Sequence, residues 1–286
     1  MAKVLLLGCG NLGRKLAVRL IAANHTVIAV KRTALKDPLA GLQVVLADIT
    51  AAQTVEKIPT DVDIVVFLLS PSERNKAAYQ NLYGQGLGNV LSHFSYSPSL
   101  ASGASPCWLM VSSTSVYGQN NAEWVDEESP AQATSFNGRA LVQAEQQLWA
   151  HCAESTVLRF SGIYGRGRES LVRRVREGSP VQYDPPYYSN RIHEEDCLGV
   201  LAFLIHRSLA GMPLEKLYLA TDSAPAPLSE VAVWLSETLG CPAPPKKEAS
   251  SSMQGINKRC RNNRLLKLGY SLRYRTYKDG YRAVLE

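Results

Sequence analysis

Along this chain the apolar residues gather into short unbroken runs, separated by stretches with helical spacing. Val4-Leu5-Leu6-Leu7 is the first run, and four successive apolar residues predict a strand buried on both faces, as in a parallel sheet. Behind it Leu12, Leu16 and Leu20, with Ala17, repeat at helical spacing. That helix should close near Ala23-Asn24, where Asn24 suits a left-handed residue. Residues 26–30, 44–48, 63–69, 108–113, 156–161 and 217–220 predict six further strands. Residues 73–94 are helical in composition but carry Gly84, Gly86 and Gly88, which predicts a kinked or two-part helix. Residues 141–148, 195–206 and 228–239 predict helices, the last closed by Gly240. Residues 178–190 read as a loop that could wall a pocket. Residues 224–227 read as a linker, and residues 242–255, rich in Pro, Ser and Lys, as the segment most prone to mobility. Strands alternating with helices predict an α/β fold, a doubly wound and mostly parallel sheet with right-handed crossovers.

The turn between the first strand and helix is Gly8-Cys9-Gly10-Asn11-Leu12-Gly13. Its G-x-G-x-x-G spacing between a strand and a helix is the context of a Rossmann-type dinucleotide fingerprint. Gly8 would allow the tight turn, Gly10 the approach of a pyrophosphate, and Gly13 close packing of helix on sheet. The pyrophosphate would lie at the positive end of the helix, over the N–H groups around Asn11 and Leu12. The competing reading is a merely tight turn. The second strand ends in Lys31-Arg32, where an acid would bind an adenine ribose 2′-hydroxyl. Two cations there suit a 2′-phosphate and favour NADP over NAD, unless they are ordinary surface charges. Asp48 is placed to accept from an adenine amine, or else it or Thr50 caps the next helix.

Composition narrows the classes. At 286 residues with 45% hydrophobic content, the chain can bury one large core or a core plus a small lobe. No apolar run approaches the ~18 residues of a membrane span, so the expectation is a soluble, cytoplasmic protein. Cys9, Cys107, Cys152, Cys197, Cys241 and Cys260 are dispersed, which predicts reduced thiols and no metal site. The net charge of +6 is uneven: from Lys258 to Arg282, nine basic residues face one acid, Asp279. Interleaved with tyrosines, this run suits a nucleic-acid surface or a solvated face that draws in an anionic small-molecule substrate. No nucleic-acid motif accompanies it, which favours the second reading.

At the end of the fifth strand stands Ser112-Ser113-Thr114-Ser115-Val116-Tyr117-Gly118, with Asp126-Glu127 a short way on. Together with the glycine turn and Asp48, these residues resemble the extended short-chain dehydrogenase/reductases, in the NAD-dependent epimerase/dehydratase branch. Leu158-Arg159-Phe160-Ser161-Gly162-Ile163-Tyr164-Gly165-Arg166-Gly167-Arg168, Arg191-Ile192-His193-Glu194-Glu195-Asp196 and Asn263-Arg264-Leu265-Leu266-Lys267-Leu268-Gly269-Tyr270 are similar to later segments of that family, the last to its final helix. The resemblance implies a Rossmann-type domain, residues 1–165 plus 195–222, and a small discontinuous substrate lobe, residues 166–194 plus 223–286. It implies a sugar-like or nucleotide-linked metabolite as substrate, with Tyr164, Arg168 and His193 near it, and is compatible with a homodimer. Ser113 registers with the family's catalytic Ser/Thr, although a hydroxyl-rich strand end without chemistry is the plain alternative.

One departure limits the resemblance. The family's reductive chemistry uses a tyrosine as acid/base and a lysine four residues later, because a nearby cation favours the phenolate. Registered on Glu145-Gln146, Asn137 stands at the tyrosine position and Leu141 at the lysine position. A shift by one residue gives Phe136 and Ala140. Arg139 is the nearest cation and could hold a phosphate or carboxylate, but it donates no proton at working pH. Tyr117 is a phenol close in sequence, either a wall of the site or its acid. Two functions stay open: an epimerase/dehydratase-type protein, and an NADP-binding sensor or pseudoenzyme without hydride chemistry.

Overall fold

The structure, a computed structural model, describes residues 1–96, 105–247 and 257–286. Seven strands build the central sheet: β1 (Lys3–Leu7), β2 (Thr26–Lys31), β3 (Leu42–Leu46), β4 (Ile64–Phe67), β5 (Cys107–Ser113), β6 (Thr156–Phe160) and β7 (Leu217–Ala220). Their order is β7-β6-β5-β4-β1-β2-β3. β1 pairs in parallel with β2 and β4, and the β2–β3 and β4–β5 pairs are parallel too. The order reverses beside β1, which makes its carboxyl end a topological switch point, the usual place for a ligand crevice. Val4 to Leu7, Ile64 to Phe67 and Leu109 to Met110 have no exposed surface, as central strands covered on both faces require.

Contacts divide the chain into two compact units. Unit 1 comprises Met1–Ser113, Phe136–Leu158 and Leu198–Leu217; unit 2 comprises Thr114–Ser135, Arg159–Cys197 and Tyr218–Glu286. The core of unit 2 gathers Tyr164, Val172, Val231, Leu235, Tyr277 and Tyr281.

Several elements differ from expectation for identifiable reasons. The third strand runs Leu42–Leu46 and stops short of Asp48. Standing at the sheet edge, it leaves Val44 and Leu46 exposed. Residues 76–95 form one uninterrupted helical run: Lys76–Gln80, a π-turn at Asn81–Gly86, and Leu87–Ser95. The glycines therefore accommodate a widened turn instead of a break. A side chain at Gly86 would press on Ile49 at 3.0 Å. The expected loop 178–190 contains two short strands, Val181–Gln182 and Tyr188–Ser189. Of residues 242–255, those from 248 on lie outside the described residues, and Lys246–Lys247 pairs with Val181–Gln182.

The helix at Asn263–Lys267 is short, and a second one follows at Tyr277–Leu285, started by a reciprocal cap between Thr276 and Asp279. Nor is the basic run a solvated face throughout. Lys258 is buried and donates to the Tyr117 carbonyl (3.1 Å). The Arg259 and Arg261 guanidinium groups lie 4.8 and 4.9 Å from the Trp124 ring centre, and Arg264 pairs with Glu128. Much of this charge is held by contacts within unit 2.

Candidate functional site

Helix α1 (Asn11–Ala22) starts directly behind β1. Gly8 has φ +108°, in the region that L side chains avoid, and donates its N–H to the Val30 carbonyl (3.2 Å). Gly13 stacks on the Gly8 carbonyl so tightly that a methyl group there would collide with it. Gly10 is different: a Cβ built on it meets nothing within 4 Å. It occupies the N-cap of α1 and offers no capping side chain, and the first turn carries no acid. The helix thus presents its positive end to open space.

That space is part of a cleft of about 720 Å³ in unit 1, over the carboxyl ends of the central strands. Gly8, Gly10, Lys31, Arg32 and Asp48 line it together. The Lys31 ammonium donates to the Cys9 carbonyl (3.1 Å), while Arg32 is exposed. Asp48 accepts from the Thr50 N–H (3.0 Å) and hydroxyl (2.8 Å) through Oδ1. The next helix is capped at Ala51 without a side chain, so neither Asp48 nor Thr50 caps it. The cleft is also lined by residues that the sequence did not announce: Glu73, Asn75, Ala77, Ala78, Asn81 and Leu82. The spacing of the last four, two adjacent pairs one helical turn apart, was the available signal. Glu73 and Asn75 are bonded to each other (2.7 Å), and Asn75 also accepts from the Ala78 N–H (2.8 Å).

Ser112, Ser113, Asn137, Arg139 and Leu141 also belong to unit 1. Ser112 is buried and donates to the buried Glu145 carboxylate at 2.5 Å, tying the end of β5 to the helix Phe136–His151. Leu141 is buried on that helix, Asn137 lies in its first turn, and Arg139 is exposed.

The remaining expected residues lie in unit 2. Tyr117 has no exposed surface; its hydroxyl donates to the Asp126 carbonyl (2.7 Å) and accepts from Arg159 (2.9 Å). Burial pushes its pKa up to about 12, against the opposing pull of Arg159. The phenol has its proton and an acceptor position engaged inside the fold, which argues against the acid role. Tyr164, Arg168 and His193 do come together. The His193 ring meets Tyr164 edge-on at 5.2 Å, and Arg168 pairs with the buried Glu194 at 3.4 Å. Yet Tyr164 and His193 are only 4% and 6% exposed, and Tyr164 packs against Gly280. Burial depresses the His193 pKa despite its acidic neighbours. Of the three, Arg168 alone reaches solvent.

Among the described residues no three His, Cys, Asp or Glu side chains group as a metal site, and no helix is long and apolar enough to cross a membrane.

A family model for the NAD dependent epimerase/dehydratase family matches residues 4–183. A solved structure from Methylobacillus flagellatus, described as a candidate NAD-dependent epimerase/dehydratase, is 37% identical with a TM-score of 0.81, covering 99% of this chain and 97% of that one. A conserved protein of unknown function from Silicibacter pomeroyi is 26% identical with a TM-score of 0.74, covering 100% and 98%. UDP-glucose 4-epimerase from Thermus thermophilus, solved with NAD, is 18% identical with a TM-score of 0.76, covering 99% and 97%, a likeness of fold. No curated protein matches the chain.

Proposed function

Because the chain belongs to the NAD dependent epimerase/dehydratase family, we propose that the cleft of unit 1 holds a nicotinamide dinucleotide, NADP(H) ahead of NAD(H). The substrate we propose is a sugar-like or nucleotide-linked metabolite. One observation carries the reading: the open approach over Gly10, at an uncapped helix N-terminus, leads into a cleft bordered by Lys31 and Arg32. A pyrophosphate fits there because backbone N–H groups and the helix dipole favour an anion. NAD in a structural neighbour of the same fold supports the cofactor class.

In this reading Gly8 and Gly13 set the turn, Asn11 and Leu12 face the pyrophosphate, and Asp48 faces the adenine. Arg32 holds a 2′-phosphate, while Lys31 stabilises the turn through the Cys9 carbonyl. Bound, the dinucleotide would supply or accept a hydride. Ser113, at the end of β5, would orient the substrate oxygen by a hydrogen bond, with Glu145 fixing its neighbour Ser112. Arg139 would hold an anionic part of the substrate. The sensor or pseudoenzyme reading is favoured by Asn137 and Leu141, which carry no proton-transfer chemistry. Calorimetric titration with both cofactors tests the proposal: NADP(H) should bind more tightly, with the preference lost in Arg32→Ala. Binding of neither cofactor would dismiss it.

A further inference from the structure

The cleft lies over the carboxyl ends of the central strands, and a separate pair of titratable side chains meets at the amino end of β2. We infer that His25 and His206 form an acid-sensitive latch. It holds the α1–β2 turn to the helix Glu194–Leu209 while the rings are neutral, and it releases the turn when both are protonated. The His25 ring lies against that of His206, with centroids 5.4 Å apart and planes at 34°. His206 stands in the last turn of its helix, and both residues belong to unit 1.

The backbone of the turn is held from both sides. The Asn24 N–H donates to the Ile21 carbonyl (2.9 Å), and the His25 N–H to the Leu20 carbonyl (3.0 Å). Asn24 itself has φ +62°. On the sheet side, the Thr26 N–H donates to the Ala2 carbonyl (2.9 Å), and Thr26 pairs with Lys3 of β1. The turn joins α1, capped at its start by Gly10, to β2, which ends in Lys31. Both of those residues line the cleft, so the latch anchors from behind the two elements that carry them.

Acid sensitivity follows from what surrounds the two rings. The His25 Nδ1 is buried and has no hydrogen-bond partner among the described residues. A neutral ring can leave a lone pair there, whereas protonation places an N–H where nothing accepts it. The charged groups that act on His25 are His206, from the helix, and the chain's amino group, from the start of β1. Both oppose a further positive charge, and no carboxylate is among them. Of the neighbouring cations in sequence, Lys3 is turned to Asp61 (2.5 Å) and Arg207 lies over the Phe203 ring.

Burial first, and then these two charges, hold the His25 pKa below its ordinary 6.5. The unfolded chain therefore binds this proton more readily than the folded one. The latch's contribution is complete above pH 6.5 and is lost as the pH falls through the folded value. Once both rings are charged they repel. His206 is exposed, so it is the ring that swings into water, and the turn loses its hold while the helix stays formed.

The test is an NMR titration of the full chain, uniformly labelled with ¹³C and ¹⁵N, from about pH 8 to about pH 5, the range in which histidine changes charge. His25→Gln identifies the His25 ring resonance by its loss. In the wild type, His25 should titrate below 6.5. His206→Gln removes one charge at an exposed position and should raise that midpoint by about half a unit. Amide exchange on the same samples reads the turn itself. Protection of the Asn24, His25 and Thr26 amides should fall by about tenfold across the wild-type titration, and His206→Gln should abolish that pH dependence. A His25 midpoint unmoved by His206→Gln would overturn the inference. So would wild-type protection that stays level over the whole range, a result that needs no variant.

Discussion

The Cα of Gly13 rests on the carbonyl oxygen of Gly8, with no room for a methyl group between them. This contact sets how closely α1 approaches the end of β1, and hence where the positive end of the helix points. Gly13→Ala should force α1 outward and destabilise the protein by about 1–3 kcal/mol, the usual cost of overpacking. Urea denaturation measures it, and a midpoint equal to wild type would refute the close-packing account.

Gly10→Val should behave in the opposite way. A side chain there meets no protein atom within 4 Å, so the fold should survive with a loss of about 1 kcal/mol or less at the N-cap. Dinucleotide binding should disappear, because the new side chain occupies the approach of the pyrophosphate. Circular dichroism and calorimetry on the same sample check both halves. A variant that still binds with wild-type affinity would place the pyrophosphate elsewhere.

The two glycines were legible in the sequence because their demands are local: a strand, a turn and a helix follow one another without interruption. Central strands were legible for a similar reason, since burial on both faces leaves unbroken apolar runs such as Val4 to Leu7. What was not legible depends on partners distant in sequence. Tyr117 looked available until Arg159, 42 residues on, was seen at its hydroxyl. Arg259 and Arg261 looked like solvated charge, but Trp124 lies under both. The three glycines after Tyr83 predicted a kinked or two-part helix, whereas the helical run continues through a widened turn at Asn81–Gly86, with Gly86 close to the distant Ile49. The tyrosine position at Asn137 read as a loss.

Stability should carry a pH signature from unit 2. Asp222 is 1% exposed; its Oδ1 accepts from the Ala224 N–H (3.2 Å), and its Oδ2 has no partner among the described residues. Burial pushes its pKa from 3.8 up to about 7, although Arg191 pulls the other way. The folded chain therefore keeps a proton that the unfolded chain releases. This contribution is complete below pH 3.8 and is lost as the pH rises to about 7. The loss is on the order of a few kcal/mol. Asp222→Asn should flatten that part of the profile when urea midpoints are compared between about pH 4 and pH 7. An unchanged slope would assign the pH dependence to other groups.

The most direct measurement is a crystal structure grown with NADPH at saturating concentration. The account predicts a pyrophosphate over the N-terminus of α1 beside Gly10, a 2′-phosphate at Arg32 and the adenine edge at Asp48. Density for the dinucleotide outside this cleft, or a cleft without it at saturation, would contradict the account.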